Sequence, residues 1–114
     1  MMTNTLSLCL LSLFLGIVVS NCNGNPRILG EKHWCIAKPN APLDKFEGFI
    51  YYACSRPHVD CKPIFPGGPC FEPNTGRGHG SFLLNQIYRV YGVCEPNFGT
   101  TVIDDPSYGN CHYI

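Results

Sequence analysis

Acidic side chains are the first residues in this sequence that could do chemistry. A glycosidase needs two carboxylates that flank the scissile bond. Asp44 and Glu47 lie at the start of a predicted helix, where acids favour the helix dipole, and Asp104-Asp105-Pro106 is typical of a turn. The sequence does not place any two of these acids across a cleft, so binding is favoured over a paired-carboxylate reaction. The acids considered are Asp44, Glu47, Asp60, Glu72, Glu95, Asp104 and Asp105.

A cluster of sulfur and imidazole ligands is the second possibility. Cys54, His58, Cys61 and Cys70 are close enough in sequence to form a four-ligand zinc site. Their spacing matches no standard zinc finger, and cysteines of an exported chain normally pair with each other. An even cysteine count also leaves no free thiol for Cys-His catalysis. We therefore expect no metal, no cofactor and no catalytic residue.

Aromatic side chains outside the predicted core favour a binding function. A pyranose packs its apolar C–H face on an aromatic ring, and its hydroxyls need partners such as Asn, Asp, Arg and Tyr. A small core also uses aromatic residues, so each ring has packing as its alternative role. The rings in question are Trp34, Phe71, Phe82, Tyr88, Tyr91, Tyr108 and Tyr113.

The first of two predicted helices follows Ala41 and ends near Cys54, with Pro42 near its first position. Apolar residues at helical spacing define its buried face. They are Leu43, Phe46, Ile50 and Ala53.

The second predicted helix begins at Ser81, a favoured N-cap, and ends at Gly92, a favoured C′ residue. The segment 76–80 has glycine at alternate positions, but no strand precedes it, so a flexible lead-in is favoured over a phosphate-binding loop. The predicted buried stripe is Leu83, Ile87 and Val90, flanked by Leu84 and Tyr91; Asn85, Gln86 and Arg89 lie opposite, Tyr88 at the border and Phe82 on the polar side.

The remaining segments predict little regular structure. Residues 61–70 are too rich in Pro and Gly for a regular element and predict an ordered loop held by its cysteines. Residues 100–103 have the β-branched composition of a short strand, which we expect to pair antiparallel with 61–65.

Composition limits the location and the partners. Acidic and basic residues balance at a net charge of +0, which disfavours nucleic acid and anionic membranes as partners. The apolar run 6–19 predicts a signal peptide at 1–24 and a flexible leader at 25–33. No second hydrophobic tail is seen, so neither a membrane span nor a lipid anchor is expected. Six cysteines follow position 24, and three disulfides would stabilise one domain of roughly 90 residues.

An ordered set of motifs resembles one family, the plant X8 domain, also called carbohydrate-binding module family 43. The resemblance runs from Trp34 to the end of the chain, although Tyr51 stands where the family usually has Asp. The motifs are Trp34-Cys35-x-Ala37-Lys38-Pro39, Tyr52-Ala53-Cys54, Asp60-Cys61-x-Pro63-Ile64, Pro66-Gly67-Gly68-x-Cys70-Phe71-x-Pro73-Asn74-Thr75 and Asp105-Pro106-Ser107-Tyr108-Gly109-x-Cys111.

The resemblance implies a small disulfide-rich α+β fold at 34–114, with two α-helices, a short antiparallel β-sheet and long ordered loops. Six cysteines allow fifteen pairings, of which sequence reasoning alone supports only the short Cys54–Cys61 loop. The resemblance implies the pairs Cys35–Cys94, Cys54–Cys61 and Cys70–Cys111.

The function implied by the resemblance is non-catalytic binding of β-1,3-glucan, including callose, by a secreted, monomeric protein of the plant apoplast and cell wall. A secreted cysteine-rich defence or inhibitor protein is the alternative. We expect a shallow groove formed by helix two and neighbouring loops, in which Asn85 and Arg89 bond hydroxyls and Tyr88 or Phe82 stacks. The candidate ligand-binding residues are Asn85, Tyr88, Arg89, Phe82, Tyr52, Phe71, Arg77, Asp105 and Tyr108.

Overall fold

The computed structural model describes residues 31–114. The regular elements are, in chain order, β1 (Trp34–Ala37), α1 (Phe46–Cys54), α2 (Gly76–Tyr91) and β2 (Gly99–Val102). The predicted α+β class with two helices and a small antiparallel sheet is therefore confirmed. The signal peptide predicted at 1–24 lies outside the described residues, as do positions 25–30 of the predicted leader.

The sheet consists of β1 and β2, paired antiparallel with Trp34 opposite Val102 and Ala37 opposite Gly99. The strand predicted near 100–103 is thus confirmed within one residue. Its predicted partner is wrong, because β1 takes that place and residues 62–64 form a 3-10 turn instead. Pro63 in this turn has no backbone N–H to give to a ladder.

Helix α1 is shorter than predicted, because a 3-10 turn at Leu43–Lys45 precedes it. The 3-10 turn has three residues per turn, which shifts the phase of the buried face. Leu43 is therefore 55% exposed, whereas Phe49, which was not assigned to the buried face, is only 7% exposed. Phe46 and Ala53 are buried as predicted, and Ile50 packs against the core in a partly buried position.

Helix α2 begins five residues earlier than predicted. The side chain of Thr75, not that of Ser81, is the N-cap and accepts a hydrogen bond from the Gly78 nitrogen at 3.0 Å. Gly76 and Gly80 allow α1 to pack closely on α2, because a Cβ would lie 3.2 Å from Phe46 at Gly76 and 2.4 Å from the Phe46 ring at Gly80. The predicted end is confirmed, since Gly92 caps the helix with φ 77°.

The middle of α2 is buried on more than one face, whereas the sequence pattern predicts a single buried stripe. Phe82 is 5% exposed and meets the Tyr113 ring edge to face at 5.4 Å, so its predicted position on a polar surface is wrong. Asn85 and Gln86 are also buried, at 1% and 8% exposure, while Val90 is 36% exposed. The helix is enclosed because β1 covers one side and the C-terminal segment covers another.

Three disulfides connect the loops to this core. They join Cys35 to Cys94, Cys54 to Cys61 and Cys70 to Cys111. This confirms the pairing that the family resemblance implied. It also removes the thiolates of the zinc alternative, and residues 31–114 contain no cluster of three metal-ligating side chains. Over the same range, no helix has the length and apolar character needed to cross a membrane.

Candidate functional site

In the part of the chain that the structure describes, an aromatic surface lies along one side of α1, facing the loop that follows α2. A cleft of about 600 Å³ is bordered there by both segments. A smaller cleft of about 210 Å³ continues it toward the end of α1 and shares Phe49, Tyr52 and Glu95. We name the combined surface the α1 groove. Its residues are Asp44, Lys45, Gly48, Phe49, Tyr52, Arg56, Ile87, Tyr91, Val93, Glu95, Asn97 and Phe98.

The loop side of the α1 groove is fixed to β1 and to the residue that follows it. The Cys35–Cys94 disulfide joins β1 to the start of the loop. The backbone nitrogen of Lys38 donates to the Phe98 carbonyl at 2.9 Å, and its ammonium donates to the Pro96 carbonyl at 2.9 Å. Phe98 is thus held in place by main-chain contacts rather than by its own packing alone.

Hydrogen bonds to Glu95 stabilise the turn in this loop. The carbonyl of Glu95 accepts from the nitrogens of Phe98 and Gly99, at 3.1 and 2.7 Å, and its carboxylate accepts from the Asn97 nitrogen at 3.1 Å. A Cβ on Gly99 would lie 2.8 Å from the Cys35 sulfur, so the close turn requires glycine. These contacts direct Glu95, Asn97 and Phe98 to the border of the cleft.

Aromatic rings line the bottom of the α1 groove. The Phe49 and Phe98 ring centroids are 5.0 Å apart with an interplanar angle of 33°, and those of Phe49 and Tyr52 are 6.4 Å apart. Phe49 is buried, Phe98 is partly buried and Tyr52 is 51% exposed. The surface therefore offers apolar ring faces at the bottom and one projecting phenol at the side.

At the end of the α1 groove that lies beyond α1, the guanidinium of Arg56 contacts two tyrosine rings. The Arg56 guanidinium carbon lies 5.6 Å from the Tyr52 ring centroid and 4.7 Å from that of Tyr91. The Tyr91 hydroxyl donates to the Pro57 carbonyl at 2.7 Å, which holds this ring against the loop after α1. Within residues 31–114 the buried Nε of Arg56 has no hydrogen-bond partner. Cation–π contact is thus what the structure provides for this side chain.

The polar groups of the α1 groove carry balanced charge. Asp44 and Glu95 contribute two carboxylates, and Lys45 and Arg56 contribute two cations. Together with Asn97, these side chains offer both hydrogen-bond donors and acceptors around the rings. Such a surface suits a neutral polyhydroxyl molecule better than a strongly charged one.

Four of the candidate ligand-binding residues have structural roles instead. Phe82 and Asn85 are buried in α2, and the Asn85 Oδ1 accepts from the Cys35 nitrogen at 3.1 Å. Arg77 donates to the carbonyls of Lys38 and Pro39, both at 3.1 Å. Phe82 and Asn85 are therefore not exposed to a surface ligand, and Arg77 is partly buried against the segment after β1.

The fourth candidate residue with a structural role is Arg89, which connects the residue before β1 to Ile114. Its Nε donates to the Ile114 carbonyl at 2.7 Å and its Nη2 to the His33 carbonyl at 2.5 Å. The guanidinium also lies 5.3 Å from the ring centroid of the neighbouring Tyr88, which is partly buried. Tyr88 and Arg89 do lie together, but neither lines the α1 groove.

A separate cluster surrounds the Cys70–Cys111 disulfide. The Phe71 ring packs 5.5 Å from that of His79, whose Nε2 donates to the Phe71 carbonyl at 2.6 Å. The Tyr108 hydroxyl donates to the Glu72 carbonyl at 2.6 Å, so the candidates Phe71 and Tyr108 belong to one neighbourhood. Burial, and then the Glu72 carboxylate, raise the pKa of Tyr108.

The last candidate, Asp105, belongs to the turn before this cluster. Its carboxylate accepts from the Ser107 nitrogen at 2.9 Å. Of the sequence-predicted ligand set, only Tyr52 therefore lies in the α1 groove.

A second cleft, of about 410 Å³, lies on the other side of α1. Its border includes Leu43, Asp44, Glu47, Asn74 and His79. The Phe46 ring beneath it is fully buried. This cleft has no exposed phenyl, phenol or indole ring, so the α1 groove is the better candidate site.

Sequence reasoning missed most of the groove because its two sides are far apart in the chain. Phe49 and Tyr52 are three residues apart on α1, and Arg56 follows two residues after the helix ends; the spacings of three and four are a helical signal that the sequence contains. Nothing local in the sequence indicates that Asn97 and Phe98 face them. That meeting depends on the Cys35–Cys94 disulfide and on the Lys38 contacts.

Comparisons with known proteins identify the chain's relatives. The X8 domain family matches residues 33–96. A glucan endo-1,3-beta-D-glucosidase of Olea europaea is 40% identical over 93 residues, which make up 77% of this chain and 20% of that protein. The major pollen allergen Ole e 10 of Olea europaea is 36% identical over 94 residues, 78% of this chain and 76% of the allergen. Plasmodesmata callose-binding protein 5 of Arabidopsis thaliana is 30% identical over 102 residues, 85% of this chain and 57% of that protein.

The matches differ in how much of each relative they cover. The chain spans about a fifth of the length of the glucosidases that it matches. No solved structure gives a significant match. The family match covers more than half of this chain, and the allergen is matched over 76% of its own length. The chain therefore belongs to the X8 domain family.

Proposed function

We propose that the protein is a non-catalytic module that binds a β-1,3-glucan of the callose or laminarin type in the α1 groove. The observation that carries this proposal is the juxtaposition of ring faces with balanced polar groups along one helix. The relatives of this chain include a plasmodesmata callose-binding protein and a glucan endo-1,3-beta-D-glucosidase, which supports this choice of polysaccharide.

A glucan chain matches the chemistry of the groove. The apolar C–H face of a glucose unit would pack on Tyr52 or Phe98, because such faces favour aromatic rings. The hydroxyls along the edge of the chain would bond the side chains of Lys45, Glu95 and Asn97. The balanced charge agrees with a neutral polymer.

Hydrolysis is less well supported than binding. The two groove carboxylates are Asp44, which is exposed, and Glu95, which is partly buried and already accepts the Asn97 nitrogen. A general acid of a glycosidase normally needs an apolar surrounding that keeps it protonated. The glucosidases match this chain over about a fifth of their length, so they support a shared ligand and not a shared reaction.

The proposed binding residues differ from those that the sequence predicts. Tyr52 stays as the principal stacking residue, and the groove residues named above join it. Phe71, Tyr88, Asp105 and Tyr108 form surface outside the groove and become control positions. We further propose that the protein is exported as a monomer to the apoplast and cell wall, where such a neutral polymer is available.

Calorimetry with laminarin tests this proposal. Tyr52→Ala should lower the affinity roughly 5- to 100-fold, the usual cost of truncating an aromatic contact residue. Tyr108→Ala is the matched control, because Tyr108 is a comparably exposed tyrosine outside the groove, at 41% against 51%. Hydroxyethyl cellulose, a neutral β-1,4 polymer, should bind more weakly than laminarin.

Two results would contradict the proposal. Absence of heat with laminarin would exclude the ligand class, and loss of binding in Tyr108→Ala but not in Tyr52→Ala would exclude the groove. Release of reducing sugars from laminarin by the pure protein would show that it is a hydrolase.

A further inference from the structure

Gly48 is an unexpected residue on the exposed face of the short helix α1. It is the third of the nine residues of α1 and is exposed to solvent. Apart from proline, glycine is the least favourable residue in a helix interior, because it loses the most backbone freedom on folding. A glycine at this position therefore needs a reason.

The two common structural reasons do not apply. The left-handed backbone conformation that favours glycine occurs at Gly67, Gly92 and Gly109, but not at Gly48. Close packing is also absent, because a Cβ on Gly48 would meet no protein atom within 4 Å. At Gly80, by contrast, the Cβ would lie 2.4 Å from the Phe46 ring. Neither the fold nor the packing of the protein requires the glycine.

The position of Gly48 suggests a role toward a ligand. It lines the α1 groove directly. One helical turn before it are Asp44 and Lys45, and one turn after it are Tyr51 and Tyr52, all on neighbouring positions of the helix surface. Side chains on a helix extend over the preceding turn. A side chain at position 48 would therefore cover the space beside the polar pair.

We infer that the bound glucan crosses α1 in contact with the bare backbone at Gly48, which makes this glycine a specificity-determining residue. This inference rests on the proposed function. The chain would pass between the polar pair and the two tyrosines, of which Tyr51 is 81% exposed and Tyr52 51%. Tyr51, outside the groove lining, would become a second ring contact where the chain crosses the helix.

The experiment compares Gly48→Ala and Gly48→Leu with the wild-type chain, by thermal unfolding and by calorimetry with laminarin. Alanine should raise Tm by about 2 to 8 °C, because it favours the helix and finds open space. It should also weaken laminarin binding about 5- to 100-fold, the effect of one excess group in a well-packed contact. Leucine should weaken binding further.

Glu47→Ala is the matched control, since it changes the neighbouring exposed residue of the same helix, which does not line the α1 groove. It should leave laminarin affinity within about twofold of wild type.

Each outcome decides the inference. If Gly48→Ala raises Tm but keeps wild-type affinity, while Tyr52→Ala loses it, the inference is wrong and the proposed function stands. If Gly48→Ala lowers Tm, the added methyl group does not enter open space, and the inference is also wrong. If the wild-type chain gives no heat with laminarin, both fail. Combined gain of stability and loss of affinity supports the inference.

Discussion

The side-chain oxygen of Asn85 accepts the backbone N–H of Cys35 at 3.1 Å, and this contact places α2 against β1. Ser81, one turn earlier, accepts the Ala37 N–H in the same way at 3.0 Å. The geometry matches because four helical residues rise about 6 Å and two strand residues rise about 6.8 Å. The strand thus pairs with β2 on one edge and with two helix side chains on the other.

Replacement of Asn85 by leucine should destabilise the fold without affecting a groove ligand. The substitution leaves the Cys35 N–H buried without its acceptor, which costs about 1 to 3 kcal/mol. Urea unfolding of the oxidised protein measures this loss. Asn97→Ala should show the opposite pattern, with stability within about 0.5 kcal/mol of wild type and weaker laminarin binding. A stable Asn85→Leu protein that no longer binds laminarin would contradict the structural role.

Gly80→Ala should destabilise the protein, although alanine is the better helix former. The added methyl group would overlap the Phe46 ring, which is fully buried and has no space to move. Overpacking of this kind costs about 1 to 3 kcal/mol, against about 1 kcal/mol of helix propensity.

A double-variant cycle with Phe46→Leu checks the origin of the Gly80→Ala effect. The two substitutions together should cost less than the sum of their separate costs, because the smaller side chain removes the overlap. Strictly additive costs, or a more stable Gly80→Ala protein, would show that the ring does not limit this position.

Arg89→Ala should loosen both ends of the described chain. The guanidinium donates to carbonyls of Ile114 and His33, and each hydrogen bond from a charged group contributes about 1.5 to 3 kcal/mol when it is well shielded. Because Arg89 is only partly buried, we expect a loss nearer 1 to 2 kcal/mol. Hydrogen exchange should become faster near both ends, whereas laminarin affinity stays constant. A loss of laminarin affinity with unchanged hydrogen-exchange rates would instead indicate that Arg89 contacts the ligand.

Stability should fall above pH 10, and Tyr113 should account for part of the decline. Burial, and then the neighbouring Tyr108, raise the pKa of Tyr113 above its ordinary value of 10.0. The unfolded chain therefore loses this proton first, and the free energy of unfolding decreases as pH rises beyond 10, by at most about 1.4 kcal/mol per pH unit for one group.

Tyr113→Phe tests this pH dependence. The ring would still pack on Phe82, so stability at pH 7 should change little. The slope of the free energy of unfolding against pH should become flatter between about pH 10 and 11.5. An unchanged slope would show that the phenol does not contribute.

The elements that could be predicted from sequence are those with local causes. The end of α2 was predictable because Gly92 favours the left-handed cap by itself. Its start was not, because glycines look like helix breakers until Phe46, distant in the chain, is packed on them. Likewise, Asn85 looks like a surface residue until β1, which was not recognised as a strand, supplies the N–H that it accepts.

The candidate site was harder to predict than the fold. Tyr52 was one of nine candidate ligand-binding residues, but the groove exists only where Phe98 approaches Phe49. That approach depends on the Cys35–Cys94 disulfide, a pairing that family resemblance supplied and residue spacing did not. Periodicity assigns residues to helix faces, but it does not identify which loop lies opposite them.

Helix α1 has a buried face and an exposed face. Phe46, Phe49 and Ala53 hold it to the core. Gly48 and Tyr52 of the helix, and Asp44 and Lys45 of the 3-10 turn before it, are exposed. Under the proposed function, we expect substitutions among these outward positions to change which polysaccharide is bound with little consequence for folding. We therefore expect proteins that share the same three disulfides to differ in ligand preference through changes in this nine-residue helix.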